Sequence, residues 1–263
     1  MLKFFLIIFF LYNFSINAFE NKIMVASTTS TYDTGLLKYL NNIFKSKFNI
    51  EVQVLAQGTG QAIRTAKEGN VEVLLVHHKK SEYKFMNDGY GLERYNLMYN
   101  DYVLVGSKFD ENECINIEKK LHEIFSNNFK FISRGDDSGT HKKELELWAS
   151  INKNPQYFNS WYLKVGQGMG MTLLIANEKS AYTLSDRSTW IAFNKRKNLK
   201  IICENFPPLI NQYGLILVNP SINSKLNIQS AKIYVDWLIS DEGEKLINAF
   251  KKKDQQLFFY NHH

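Results

Sequence analysis

Residues 22–76 read KIMVASTTSTYDTGLLKYLNNIFKSKFNIEVQVLAQGTGQAIRTAKEGNVEVLLV, and the order of their apolar runs decides the fold. Residues 22–27 are a short apolar run suited to a buried strand. The polar stretch TTSTYDTG follows as a loop. Leu36, Leu40, Ile43 and Phe44 then recur at helical spacing, with Asp33 or Thr34 as the expected cap. Ile50, Val52, Val54 and Ala56 alternate as a strand. Gly58-Thr59-Gly60 is expected to turn, and QAIRTAKEG to form a short helix closed by Gly69. VEVLLV is a third apolar run, fit for a central parallel strand.

Strands that alternate with helices predict an α/β fold whose sheet is covered on both faces. Ligands on such sheets bind at the carboxyl ends of the strands. Outward from this unit lies a long extended stretch, NLMYNDYVLVG, at residues 96–106. A second strand–loop–helix series follows through FKFIS, RGDDSGTH and VGQGMGMTLLIANEK, and LKIICENFPPLINQYGLILVNP returns as another extended stretch. Two helical patterns close the chain, with Ser240 between them as an N-cap candidate. Two long extended stretches bracketing a middle block predict two lobes joined by two crossings. The first lobe comprises residues 19–104 and 211–263, the second residues 105–210, and a cleft forms where their loop tips meet.

The N-terminus carries an address. Lys3 is a positive n-region, residues 4–12 are an apolar h-region, and Ile16-Asn17-Ala18 supplies a cleavage-like pattern. The apolar run is far shorter than the roughly 20 residues that span a bilayer. Residues 1–18 are therefore expected to be a cleaved signal peptide. No cysteine follows them for lipid attachment, which points to a bacterial periplasm. That compartment permits a disulfide between Cys114 and Cys203, the chain's two cysteines, with two free thiols equally open. The net charge of +6 comes from lysines scattered through polar stretches. No basic stripe with interleaved aromatics suggests nucleic acid.

Four loop tips carry the candidate chemistry: residues 27–31 (STTST), Gly58-Thr59-Gly60, Ser133-Arg134 with Ser138-Gly139-Thr140, and Gly168-Met169-Gly170. Each precedes a helix, whose first N–H groups lack intrahelical partners and favour negative charge. Glycine admits a ligand close to the backbone, and hydroxyls add donors without bulk. Arg134 adds a fixed cation with a planar fork, and Asp136 can hold that guanidinium in place. Recurrence at successive strand ends reads as a small-oxyanion site. A single hydroxyl cluster would read as an ordinary cap, and Met169 as core filler.

Enzyme and metal readings fare worse. The chain has no Cys/His zinc spacing, no HExxH, no Walker loop and no G-x-S-x-G elbow. His77 and His78 are adjacent on an extended chain, point to opposite sides, and are expected in a solvated turn. No bare metal cation, cofactor or covalent chemistry is expected.

The stretches STTSTYDTGLL, GTGQAI, VLLVHHKKSEYKFMNDGYG, SRGDDSGTHKKE, WYLKVGQGMGMTLLIANEKSAYTLSDRSTW and DWLISDEGEKLI together resemble the tungstate-binding proteins of TupA-type ABC importers. The likeness runs from Lys22 to about Phe250. It implies a two-lobed periplasmic binding protein of type II, each lobe a mixed, mostly parallel sheet flanked by helices. It implies a monomer that captures tungstate or molybdate and delivers it to a membrane permease. Carried over by position, the anion meets Thr28, Thr29 and Thr59 from one lobe. Arg134, Ser138, Gly139, Thr140 and the backbone of Met169 and Gly170 meet it from the other. This chain departs from the family in having Ser27 where threonine is usual, Thr34 near a usual serine, and His78 where aspartate is common. A phosphate-binding protein of the same fold is the alternative, because protonated phosphate needs an acceptor and Asp136 and Asp137 are at hand. A secreted hydrolase using Arg134 and Ser138 lacks a histidine base beside the serine. A structural periplasmic partner protein would show no anion dependence.

Overall fold

The computed structural model describes residues 21–262. The expected signal peptide lies outside the described residues. The first unit follows the sequence closely: β1 (Lys22–Thr28), α1 (Thr29–Thr34), α2 (Leu36–Phe48), β2 (Glu51–Gln57), α3 (Thr59–Lys67), β3 (Val73–Val76) and α4 (Lys79–Asn87). The polar stretch after β1 is not a loop but the short helix α1. Gly35, at φ 90°, breaks it from α2, and Thr34 rather than Asp33 accepts the Leu36 amide at 3.1 Å.

β4 (Gly91–Ser107) then runs on into α5 (Ile117–Ser126), β5 (Phe131–Ser133), α6 (Gly139–Ser150), β6 (Tyr162–Lys164), α7 (Met169–Lys179), β7 (Thr183–Asp186), α8 (Arg187–Ala192) and β8 (Leu199–Cys203). The chain returns through β9 (Ile210–Val218) to α9 (Ile228–Leu238) and α10 (Asp241–Ala249). It ends in three short strands, β10 (Lys251–Lys252), β11 (Gln255–Gln256) and β12 (Phe259–Tyr260). Ser240 caps α10, accepting the Gly243 amide.

The first sheet runs β12-β4-β9-β3-β1-β2. β1 pairs in parallel with β2 and β3, while β9 is antiparallel to both β3 and β4. Strand alternation splits its side chains between two cores. Val73, Leu75, Leu215 and Leu217 face α2 and α9 with Leu40, Phe44 and Tyr234. Leu74, Val76, Ile216 and Val218 face α3 and α4 with Ala62, Ala66 and Phe85.

β4 serves both sheets. Up to Asp101 it pairs with β9; from Tyr102 it pairs with β7, and from Leu104 also with β8. Its alternation continues across the change: Tyr102 and Leu104 pack with Trp148 and Phe131, Val103 and Val105 with Ile132 and Leu173. β5 and β6 form a separate parallel pair, and Phe131 of β5 makes a parallel bridge to Tyr182, just before β7. The crossing is held by Arg187, whose Nε and Nη2 each donate to Asp101 at 2.6 Å. Cys114 and Cys203 are disulfide-bonded, with Cα atoms 5.4 Å apart, which ties β8 to the loop before α5.

Candidate anion-binding site

Three of the four tips come together as a buried cluster. Ser27 and Thr28 end β1, Thr59 opens α3, and Ser138, Gly139 and Thr140 open α6; all are buried. A Cβ on Gly58 would lie 4.0 Å from Ser138 Cα and 3.8 Å from the Asp136 carbonyl oxygen, so the starts of α3 and α6 are in contact. Arg134 follows β5 and is only 4% exposed. Its Nε donates to Asp136 Oδ2 at 2.8 Å, and its Nη2 reaches Thr29 Oγ1 at 3.4 Å across the lobes. Asp136 Oδ1 also accepts the Ser138 amide at 3.2 Å. The turn that allows this has Gly135 at φ 65°, a left-handed conformation that glycine adopts at least cost.

The hydroxyls divide into two groups. Some serve the fold: Ser138 Oγ accepts the His141 amide at 3.2 Å, and Thr28 Oγ1 lies 2.7 Å from Thr31 Oγ1. Ser27 Oγ, Thr59 Oγ1 and Thr140 Oγ1 are buried without a hydrogen-bond partner among the described residues. A buried polar group left unpaired costs about 1–3 kcal/mol, and native proteins leave few. Three such groups lie at neighbouring tips, and Ser133 Oγ, beside Glu144, is a fourth.

The fourth tip stands apart. Met169 packs its side chain into the second-lobe core with Ile132 and Leu173, as filler. Gly168 and Gly170 are exposed, and a Cβ on either would meet nothing within 4 Å. The loop does run beside Arg134, whose carbonyl accepts the Gly166 amide at 2.9 Å.

Asp137 turns outward to Lys142 at 2.5 Å and to Arg64 at 3.6 Å. Behind the turn sits buried Glu144, which accepts the Tyr162 hydroxyl. Burial pushes its carboxyl up to about 7. Among the described residues no group of His, Cys, Asp and Glu could hold a metal ion.

Residues 17–242 match the family model described as a PBP superfamily domain. The tungstate-binding protein TupA of Peptoclostridium acidaminophilum is 43% identical over 242 residues, covering 89% of this chain and 83% of that one. The chain belongs to the TupA family. Two solved structures share the fold of this TupA-family chain. The tungstate-binding protein TupA from Desulfovibrio alaskensis superposes with a TM-score of 0.81 at 38% identity, covering 92% of this chain and 99% of that chain. The tungstate ABC transporter structure from Geobacter sulfurreducens gives 0.79 at 40% identity, covering 87% and 98%.

Ser27, the first residue of the STTST tip and a departure from the family, lies among the partnerless hydroxyls. The expected solvated turn at His77 and His78 is a correction. His77 is 5% exposed, and its Nδ1 lies 2.9 Å from both Tyr102 Oη and Asn211 Oδ1. His78 caps α4 and pairs with Glu146 of α6 at 3.2 Å. The signal available was position: His77 directly follows VLLV, at the strand end where ligand sites form.

Proposed function

We propose that this chain is the periplasmic solute-binding protein of an ABC importer. It captures tungstate, with molybdate as the congener of the same shape, between the lobes formed by residues 19–104 with 211–263 and by residues 105–210. It then presents the anion to a membrane permease, as a monomer and without covalent chemistry. The observation that carries this reading is the cluster at the tips: one buried guanidinium beside three buried hydroxyls that lack partners. A tetrahedral dianion accepts hydrogen bonds and offers none, so it suits a shell of donors. Hydrogen bonds to charged groups are worth about 1.5–3 kcal/mol each, and several together offset desolvation of the anion.

The proposed shell is Thr28, Thr29, Thr59, Arg134, Ser138, Gly139 and Thr140, with Ser27 added, and the Met169 and Gly170 amides joining from the exposed tip. Because donors come from both lobes, the anion binds the closed form better than the open one, and that difference drives closure. The phosphate alternative is less supported. Each oxygen of Asp136 already holds a donor, and Asp137 faces lysine and arginine outside the cluster.

Calorimetric titration with tungstate, molybdate, sulfate and phosphate tests the assignment. Tight tungstate binding with weak phosphate binding is expected; the reverse order overturns it.

A further inference from the structure

His77 occupies a singular place. It follows β3 in the first lobe, and its ring lies 4.8 Å from that of Tyr213, tilted by 30°. Its hydrogen-bond partners sit on the two strands that cross between the lobes, Tyr102 on β4 and Asn211 on β9. Asn211 donates its amide to Asn100 Oδ1 at 2.6 Å, so its own oxygen is the acceptor. The proton of the neutral imidazole therefore resides on Nδ1. Burial keeps the ring neutral by holding its pKa down at about 4.

The Nδ1–Cε1–Nε2 edge of the ring meets the other lobe. A Cβ built on Gly139 would lie 2.5 Å from His77 Cε1, 2.8 Å from Nδ1 and 3.0 Å from Nε2. Those distances leave no room for a methyl group. Gly139 is the first residue of α6, between Ser138 and Thr140. The ring is hemmed in, because Tyr213 lies against it and Asn211 and Tyr102 hold Nδ1.

We propose that His77 is the closure stop of this protein, a positioning residue against which the Gly139 helix start comes to rest. The ring fixes how near the second-lobe donors approach those of the first lobe, and so sets the interlobe gap at the anion site. Glycine at 139 is required because any side chain would reach the ring before the lobes had met. This inference rests on the anion reading above, but it concerns a contact that exists with or without that reading.

The test is a double-mutant cycle read by tungstate calorimetry, thermal melting and small-angle X-ray scattering. Gly139→Ala should weaken tungstate binding at least about tenfold, equivalent to about 1.4 kcal/mol. Its saturated form should be more extended than the wild type, and tungstate should raise its melting temperature less. Adding His77→Ala should recover most of the affinity and the compact form, since the clash partner is gone. Wild-type affinity in Gly139→Ala, or a loss that His77→Ala does not relieve, overturns the stop. A wild type indifferent to tungstate removes the anion reading alone. The stop is then judged by anion-free scattering, where Gly139→Ala should be measurably more extended than wild type; identical profiles overturn it.

Discussion

Arg134 Nη2 reaches the Thr29 hydroxyl at 3.4 Å, while Arg134 Nε is held by Asp136 at 2.8 Å. The guanidinium is thus anchored in one lobe and extended towards the other. An arginine has five N–H donors, and a fork fixed on one side keeps its remaining donors aimed. That arrangement suits an anion held between lobes better than it suits a surface ion pair.

Arg134→Ala should lower tungstate affinity by about 10- to 150-fold for each charge-assisted bond lost. Arg134→Lys should recover only part of it, because a point charge does not reproduce the fork. Calorimetry on both variants measures this, and undiminished binding in the alanine variant would take Arg134 out of the site.

Thr59→Val and Thr140→Val should separate binding from stability. Each replaces a buried, partnerless hydroxyl with a methyl of similar shape. Relief of an unmet desolvation cost should leave the anion-free protein as stable or up to about 1 kcal/mol more stable. Tungstate affinity should fall about tenfold, as one hydrogen bond to a charged group is lost. Denaturant unfolding and calorimetry on the same samples supply both numbers; a destabilised variant with full affinity would reverse the assignment.

Two buried groups should tilt the pH dependence of stability in opposite senses. Glu144 is raised from 4.5 to about 7, so its stabilising contribution is full at low pH and is lost as pH rises between those values. His77 is lowered from 6.5 to about 4, so its contribution is full above 6.5 and is lost as pH falls towards 4. In the wild type the two slopes oppose each other. Glu144→Gln should unmask a stability that rises with pH from 4 to 6.5, on the order of 3 kcal/mol. His77→Gln should unmask one that falls between pH 4.5 and 7. Melting curves across this range decide, and parallel profiles for the two variants would refute the assignment.

Loss of the Cys114–Cys203 bridge should cost about 2–5 kcal/mol. It closes a separation of 89 residues and fastens β8, which pairs with β4 just beyond the crossing. Guanidinium unfolding of a Cys114→Ala/Cys203→Ala variant gives the value directly. A loss below about 1 kcal/mol would mean that packing alone holds this lobe.

Much of the fold is legible in local pattern. Residues 22–76 announce three strands and their helices because apolar spacing switches between periods of two and 3.6. The hydroxyl-rich tips are equally visible, as they fall where strands give way to helices. Helix α1 was missed because its six residues include no apolar repeat; it forms between Thr28, which ends β1, and Gly35, which turns left-handed. That Ser27 is buried without a partner is not legible, because a hydroxyl reads like any cap until the packing around it is known.

The sequence by itself determined the strand and helix order, the two-lobed chain path and the hydroxyls, glycines and arginine placed at the strand ends. These depend on neighbours a few residues apart, whose spacing and polarity are written in the chain. Only the tertiary structure decided that Cys114 bonds to Cys203, that Arg134 faces Thr29, and that His77 is buried against Gly139. Those pairings join residues 62 to 105 positions apart. The disulfide follows from the pairing of β8 with β4 and the other two from how β4 and β9 cross between the lobes, matters of sheet register and packing that no local periodicity encodes.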